Sequence, residues 1–308
     1  MPALGHYILY SRNYKLYLSD TMEELGNYSR VEATLVDTFI YAFVIFYFWH
    51  ALGVTVGYHR LLAHRTFKCN KLAEYFWVLG GYLCFEGSPI WWATVHRNHH
   101  RNTDNELDSH APKYGWKDSY FGWIFNRDTY PAHIDPATQA KDLINDPLYR
   151  MLERSNWQKS HTVALVVGFA FRLLLLALFG WKIALASLAA GVLVLQIPLF
   201  LNVVCHIPKL GYKNFDLADD SVNVWWVAIF TNGEGWHNNH HAHPGSARSG
   251  LRPHEIDVSW MTIRLMKALG LASCVHEAEP IGRPERKKLF VLNSDQAQHQ
   301  PEPERLAS

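Results

Sequence analysis

The sequence predicts an all-α fold, an integral membrane helical stem carrying a histidine-rich metal site, and three observations lead there. Three runs are apolar and long enough to cross a bilayer as helices. Histidines gather in clusters whose spacing suits one face of a helix. Two of the apolar runs are joined by a turn so short that they must form a hairpin.

Along the chain, residues 1–32 are mostly polar and hold no apolar core of a signal peptide. Residues 33–56 are apolar apart from Asp37 and His50, residues 162–179 apart from Arg172, and residues 183–204 apart from Gln196 and Asn202. A spanning helix needs about 20 largely apolar residues, so these are the three candidate spans. Arg172 would cost a few kcal/mol at the bilayer centre unless it faces protein or water. The turn Phe179-Gly180-Trp181-Lys182 returns the hairpin to the side it left, so clusters before and after it share one compartment. Residues 71–92 are interrupted by Glu74, Glu86, Pro89 and glycines, and residues 222–230 are too short to span. Both read as interfacial or packed segments. Residues 33–282 form a single domain, and the polar tail 283–308 reads as disordered.

The histidines are His59 and His64 in YHRLLAHR, His96, His99 and His100 in VHRNHHRN, and His237, His240 and His241 in WHNNHHAH. Positions i, i+3 and i+4 share a helix face, so each HxxHH triplet projects three rings toward one region. His59 and His64 lie roughly 140° apart on an ideal α-helix, which calls for a helix end or two metals. Asn202 and His206 follow at i and i+4 in NVVCH. Nine histidines exceed what one tetrahedral ion uses, and imidazole alone does not choose the metal. The scattered histidines His6, His50, His110, His133, His161, His254, His276 and His299 read as ordinary surface or hydrogen-bonded residues, with His243 ambiguous.

The formal net charge of +1 gives no hint of nucleic acid. Cys69, Cys84, Cys205 and Cys274 form no CxxC pair and read as packed free thiols. No GxGxxG or GxxxxGK[ST] occurs, which argues against a built-in dinucleotide site, so electrons for any redox step must come from elsewhere. Arg60, Arg65, Lys68 and Lys71 after the first span, and Arg154, Lys159, Lys209 and Lys213 at the hairpin's open end, put the clusters on the cytoplasmic face. Metal-bound imidazoles usually donate their other N–H to a carboxylate, for which Glu234, Asp104, Asp108 and Asp257 are candidates, with Glu106 beside them. Aromatic residues make up 14% of the chain, and those near the clusters, such as Trp91, Trp92, Trp225, Trp226 and Trp236, suit either a passage wall or interfacial anchoring.

With GVTVGYHRLLAHRTFK, WWATVHRNHHRNTDNELDSHAP followed by FGWIF, LNVVCHIPKLGYKNF and GEGWHNNHHAHPGSAR on the page, the chain resembles the membrane fatty acyl desaturases, specifically the Δ9 acyl-CoA and acyl-lipid branch, over about residues 50–275. The resemblance implies a membrane stem of three to four spans under a cytosolic helical cap. It implies two iron ions, held by His59, His64, His96, His99, His100, His206, His237, His240 and His241, with Asn202 acting through a water. The activity implied is O2-dependent removal of two hydrogens from a long-chain acyl-CoA or acyl lipid, leaving a cis double bond. Cytochrome b5 or a ferredoxin with its reductase would supply the electrons, and membrane lipid would surround the stem. Family members usually have two spans ahead of the first cluster, whereas only residues 33–56 look able to cross here. A hydroxylase of the same family is the nearest rival. A non-catalytic metal-binding membrane protein is a further one, disfavoured because the histidines sit at span ends and not within the spans. Arg60, Arg65, Arg97, Arg101 and Arg248 are candidates for a clamp on a CoA phosphate.

Overall fold

In the computed structural model, residues 37–108, 110–124, 134–153 and 157–282 are described; the N-terminal segment and the tail assigned from sequence lie outside them. Three helices have the length and composition to cross a membrane: α1 (Asp37–Ala63), α7 (Trp157–Phe179, apolar enough from Lys159) and α8 (Trp181–Val204). Their large apolar side chains face outward, as Ile45 and Phe48 do on α1, Phe169 and Leu173 on α7, and Val192 and Leu193 on α8. Exposure on that scale along whole helices fits a bilayer as the surrounding medium. Gly180, with φ +84°, makes the turn between α7 and α8, a left-handed conformation that favours glycine.

The first span runs seven residues past the end set from hydropathy, at residue 56, because α1 does not stop where its apolar run stops. Its last eleven residues, Gly53–Ala63, wind as a π-helix and are all buried. The widened turn lies against α2 (Lys71–Tyr82), where glycines let the two backbones meet. A Cβ at Gly53 would stand 2.3 Å from the Gly81 nitrogen, and one at Gly80 would stand 2.7 Å from the Trp49 carbonyl. At twelve residues α2 is too short to span, in keeping with its reading as a packed segment.

Arg172 resolves its apparent cost by turning inward. It is 5% exposed, donates to the carbonyls of Leu83, Gly168 and Ser187, and packs its guanidinium on Phe85 and Phe171. Beyond the stem, short helices build a cap: α3 (Pro89–Asn102), α4 (Trp116–Tyr120), α5 (Pro136–Gln139), α6 (Pro147–Leu152), α9 (Trp225–Phe230), α10 (His237–Ala242) and α11 (Val258–Ala268). One two-residue ladder, β1 (Lys68–Cys69) with β2 (Ala272–Ser273), ties the chain after α1 to the end of α11. The main core joins the end of α1 to α2, α6, α7 and α11 through Tyr58, Val78, Tyr82, Tyr149 and Ile263. The site therefore rests on the best-packed part of the molecule.

Candidate metal centre

The π-helix answers the problem posed by the five-residue spacing of His59 and His64. Its hydrogen bonds run from residue i+5 to residue i, so these two positions become neighbours on one face. The His64 amide donates to the His59 carbonyl at 3.0 Å, and the two rings lie 4.8 Å apart. Each HxxHH triplet sits on a helix, α3 or α10, and the residues between its histidines anchor that helix. Arg97 reaches the carbonyls of Leu62, Ala63 and Gln139 and the carboxylate of Asp142, while Asn98 donates to Leu107. α10 has only six residues, too few to be stable alone, and is pinned by Asn238 to Phe215 and by Asn239 to Ser249 and Glu255.

The nine histidines form two groups, one of His59, His64, His96, His100 and His240, the other of His99, His206, His237 and His241. In the first group Nε2–Nε2 separations are 3.0 Å for His59 and His240, 2.8 Å for His64 and His96, 3.1 Å for His96 and His100, and 2.9 Å for His100 and His240. In the second, His237 Nε2 stands 3.1 Å from His206 and 3.0 Å from His241. Asn202 is half-buried on α8 and lines the same cavity as His237.

Outer hydrogen bonds fix the tautomers. His59 Nδ1 faces Glu234 at 2.6 Å, His99 Nδ1 faces Asp108 at 2.9 Å, His206 Nδ1 faces Asp104 at 2.9 Å and His241 Nδ1 faces Asp219 at 3.3 Å. With the proton held on Nδ1, each Nε2 presents a lone pair inward. The Nε2 atoms of each group converge, and His99 Nε2 has no partner, so each group could hold a cation. Metal–nitrogen bonds of about 2.1 Å set neighbouring donors about 3.0 Å apart at right angles and about 3.4 Å apart at the tetrahedral angle. The observed separations lie within reach of a shared ion.

Electrostatics agree. Burial, then the mutual charge of neighbouring rings, holds His64, His96, His100, His237, His240 and His241 well below the ordinary histidine range, so they are neutral at pH 7, as metal binding would require. Burial alone would raise the carboxyl of Glu234, but Arg60 and His59 outweigh it and lower it. Asp108 is likewise held low by His99 and His110 against the effect of burial. Asp104 sits in a left-handed turn just past α3, with φ +59°, a conformation that Asp tolerates and that aims its carboxylate across to His206.

Other sequence expectations find different places. Asp257 touches no histidine of the groups; it holds Arg60, which in turn holds Glu234. Glu106 is exposed. Arg60 and Arg97 are spent on internal partners, while Arg248 bonds the Gly250 carbonyl through Nε and stacks on Trp260. Two residues were missed. His110, read as ordinary, lies buried with Asp108 between it and His99. Asp219 lies outside every histidine motif, and no local signal marks it. Beside both groups opens a largely apolar cavity of roughly 850 Å³ counted to its mouth, touching His59, His96 and His237 and walled by Val54, Val95 and Ile197.

Residues 37–257 match the family model for fatty acid desaturases. The chain belongs to the fatty acid desaturase family. The desaturase is 38% identical over 239 residues to the sn-1 stearoyl-lipid 9-desaturase of Anabaena variabilis, spanning 77% of this chain and 84% of that one. It is 39% identical to the sn-2 palmitoyl-lipid 9-desaturase of Nostoc, over 78% and 82% of the two chains. It is also 37% identical to the acyl-CoA 5-desaturase AL21 of Anemone leveillei, over 72% and 67%. The desaturase is thus an enzyme that introduces double bonds into fatty acyl groups, built on a membrane stem with histidine groups suited to metal.

Proposed function

We propose that this desaturase places a cis double bond at the Δ9 position of a long-chain acyl lipid or acyl-CoA, using O2 and two iron ions. The observation that carries the reading is the pair of inward-facing Nε2 groups beside a single apolar cavity. The cavity lining is largely apolar, as a methylene chain requires. Position 9 is supported by the names of the stearoyl-lipid and palmitoyl-lipid relatives, while AL21 carries position 5 in its name.

An unactivated methylene offers neither an acidic proton nor an electrophilic carbon, and bound iron supplies the O2 chemistry that side chains lack. The chain's own residues do the rest. His59, His64, His96, His100 and His240 would hold one ion, and His99, His206, His237 and His241 the other, with Asn202 acting through a water. Glu234, Asp108, Asp104 and Asp219 keep the proton on Nδ1 and the rings in place. Val54, Val95, Trp92 and Ile197 exclude water and hold the chain so that one pair of carbons faces the site. Two hydrogens leave adjacent carbons and O2 would end as two waters, a balance that takes two electrons from a carrier such as cytochrome b5 or a ferredoxin with its reductase and two protons from solvent. Exposed Arg65, Lys68, Lys71, Lys159, Lys209 and Lys213 flank the histidine end of the stem, against Lys182 alone at the hairpin tip, which supports a cytoplasmic site.

The test is gas chromatography with mass spectrometry on fatty acids of a bacterial host expressing the wild type or His100→Ala, together with the iron content of the purified proteins. A new monounsaturated acid formed by the wild type alone, with about two irons per chain, is expected. A hydroxylated acid would move the reading to the sister reaction, and a protein without iron would overturn the metal assignment.

A further inference from the structure

One buried acid takes no part in the chemistry above. Glu86 lies between α2 and α3, is 6% exposed and lines the apolar cavity. Its Oε2 accepts a hydrogen bond from Trp92 Nε1 at 3.0 Å, and its Oε1 has no partner. Trp92 itself is held between the edge of Tyr58 and the face of His96, with ring centroids 5.6 and 5.0 Å away. The Glu86 side chain therefore borders the cavity one indole away from the first histidine group, with Oε1 itself shielded from solvent.

No charge near Glu86 is arranged to balance a carboxylate. From α1 come Tyr58 and His59, from its own segment Tyr82 and Cys84, from α3 His96, and from α7 His161 and Arg172. His110, Glu234 and His237 face the cavity from the cap. Arg172 turns its terminal nitrogens to backbone carbonyls and His50, Glu234 is committed to His59 and Arg60, and burial pushes the Cys84 thiol up and His110 down to about 4, leaving both neutral. Burial pushes the Glu86 carboxyl itself up to about 8, with only the Trp92 bond opposing it.

We propose that Glu86 couples acyl-chain binding to a proton: the passage admits a methylene chain when this carboxyl is neutral and rejects it when the carboxyl is ionised. The inference rests on reading the cavity as the acyl passage. While the cavity is empty, its water can solvate an ionised Glu86 where the side chain borders it. An entering chain displaces that water and would leave the charge unpaired against methylenes, so the charged form and the chain exclude each other. By reciprocity, a bound chain raises the proton affinity of Glu86.

The experiment compares wild type and Glu86→Gln, which keeps the shape and the acceptor for Trp92 and cannot ionise in this range. Infrared difference spectra of the metal-loaded proteins in detergent should show a neutral carboxylic acid band in the wild type that disappears with a midpoint near pH 8 and is missing in Glu86→Gln. In membranes, the wild-type KM for acyl lipid should rise about tenfold from pH 7 to pH 9, following the neutral fraction, while that of Glu86→Gln stays flat to within about twofold. A residue that only braced Trp92 would give neither the band nor the difference in pH profiles. The proposal is overturned if the band is absent at pH 7, if the wild-type KM is flat, or if both proteins share one alkaline limb. Wild-type product formation at pH 7 tests the desaturase reading separately, since the infrared band reports Glu86 alone.

Discussion

Asp219 shows how far a single side chain acts from where the sequence draws attention. Its carboxylate faces His241 Nδ1 at 3.3 Å, the same service that Glu234, Asp108 and Asp104 give their histidines. Removing such a partner typically weakens metal binding by about 10–100-fold. We expect Asp219→Asn and Asp108→Asn to lose metal to a competing chelator at correspondingly lower chelator concentrations, and the exposed Glu106→Gln to behave as wild type. Retention by Asp219→Asn would remove it from the site. The histidines were legible because three or two of them fall within six residues of one another. Glu234 and Asp108 were legible because they lie near those motifs in the chain. Asp219 is brought in by tertiary folding, and Asp257 reaches His59 only through Arg60 and Glu234, so no local pattern could rank them correctly.

At the scale of the element, the π-turns of α1 depend on its contact with α2. Gly53 is packed so that a methyl group would overlap the Gly81 backbone, whereas Gly245 has nothing within 4 Å. Gly53→Ala should therefore destabilise the protein by about 1–3 kcal/mol or more and lower its metal content, since overpacking there pushes against rigid backbone. Gly245→Ala, measured beside it by thermal unfolding and metal analysis, should do neither. The three spans and the hairpin could be read from composition because length and hydropathy set them. The π-helix could not, because its widened winding comes from the α1–α2 contact and the demands of two rings five residues apart. Fixed 3.6-residue geometry made that spacing look like a conflict.

For the whole molecule, two consequences concern charge. Six histidines held neutral below their ordinary range mean that the unfolded chain binds more protons than the folded one as pH falls through about 6.5, so stability falls with acidification. The lowered carboxyls of Asp104, Asp108 and Glu234 act in the same direction at lower pH, their contribution being lost as they protonate. Thermal unfolding of the metal-free protein should drop steeply between about pH 6.5 and 5; a flat profile there would contradict the neutral assignment. The second concerns sidedness. Cys274 is exposed next to β2, at the histidine end of the stem, and Gly180 marks the opposite tip. A membrane-impermeant thiol reagent applied to intact cells should label Gly180→Cys at once and reach Cys274 only after lysis. The reverse pattern would place the site outside.

Each histidine group mixes early and late parts of the chain: His59, His64, His96 and His100 wait for His240, and His99 waits for His206, His237 and His241. During synthesis, then, the first group is complete only once residue 240 has been made and the second once residue 241 has, by which time both arms of the hairpin exist. Any metal loading would follow the synthesis of α10, and a chain halted before it would reach the membrane with neither site assembled.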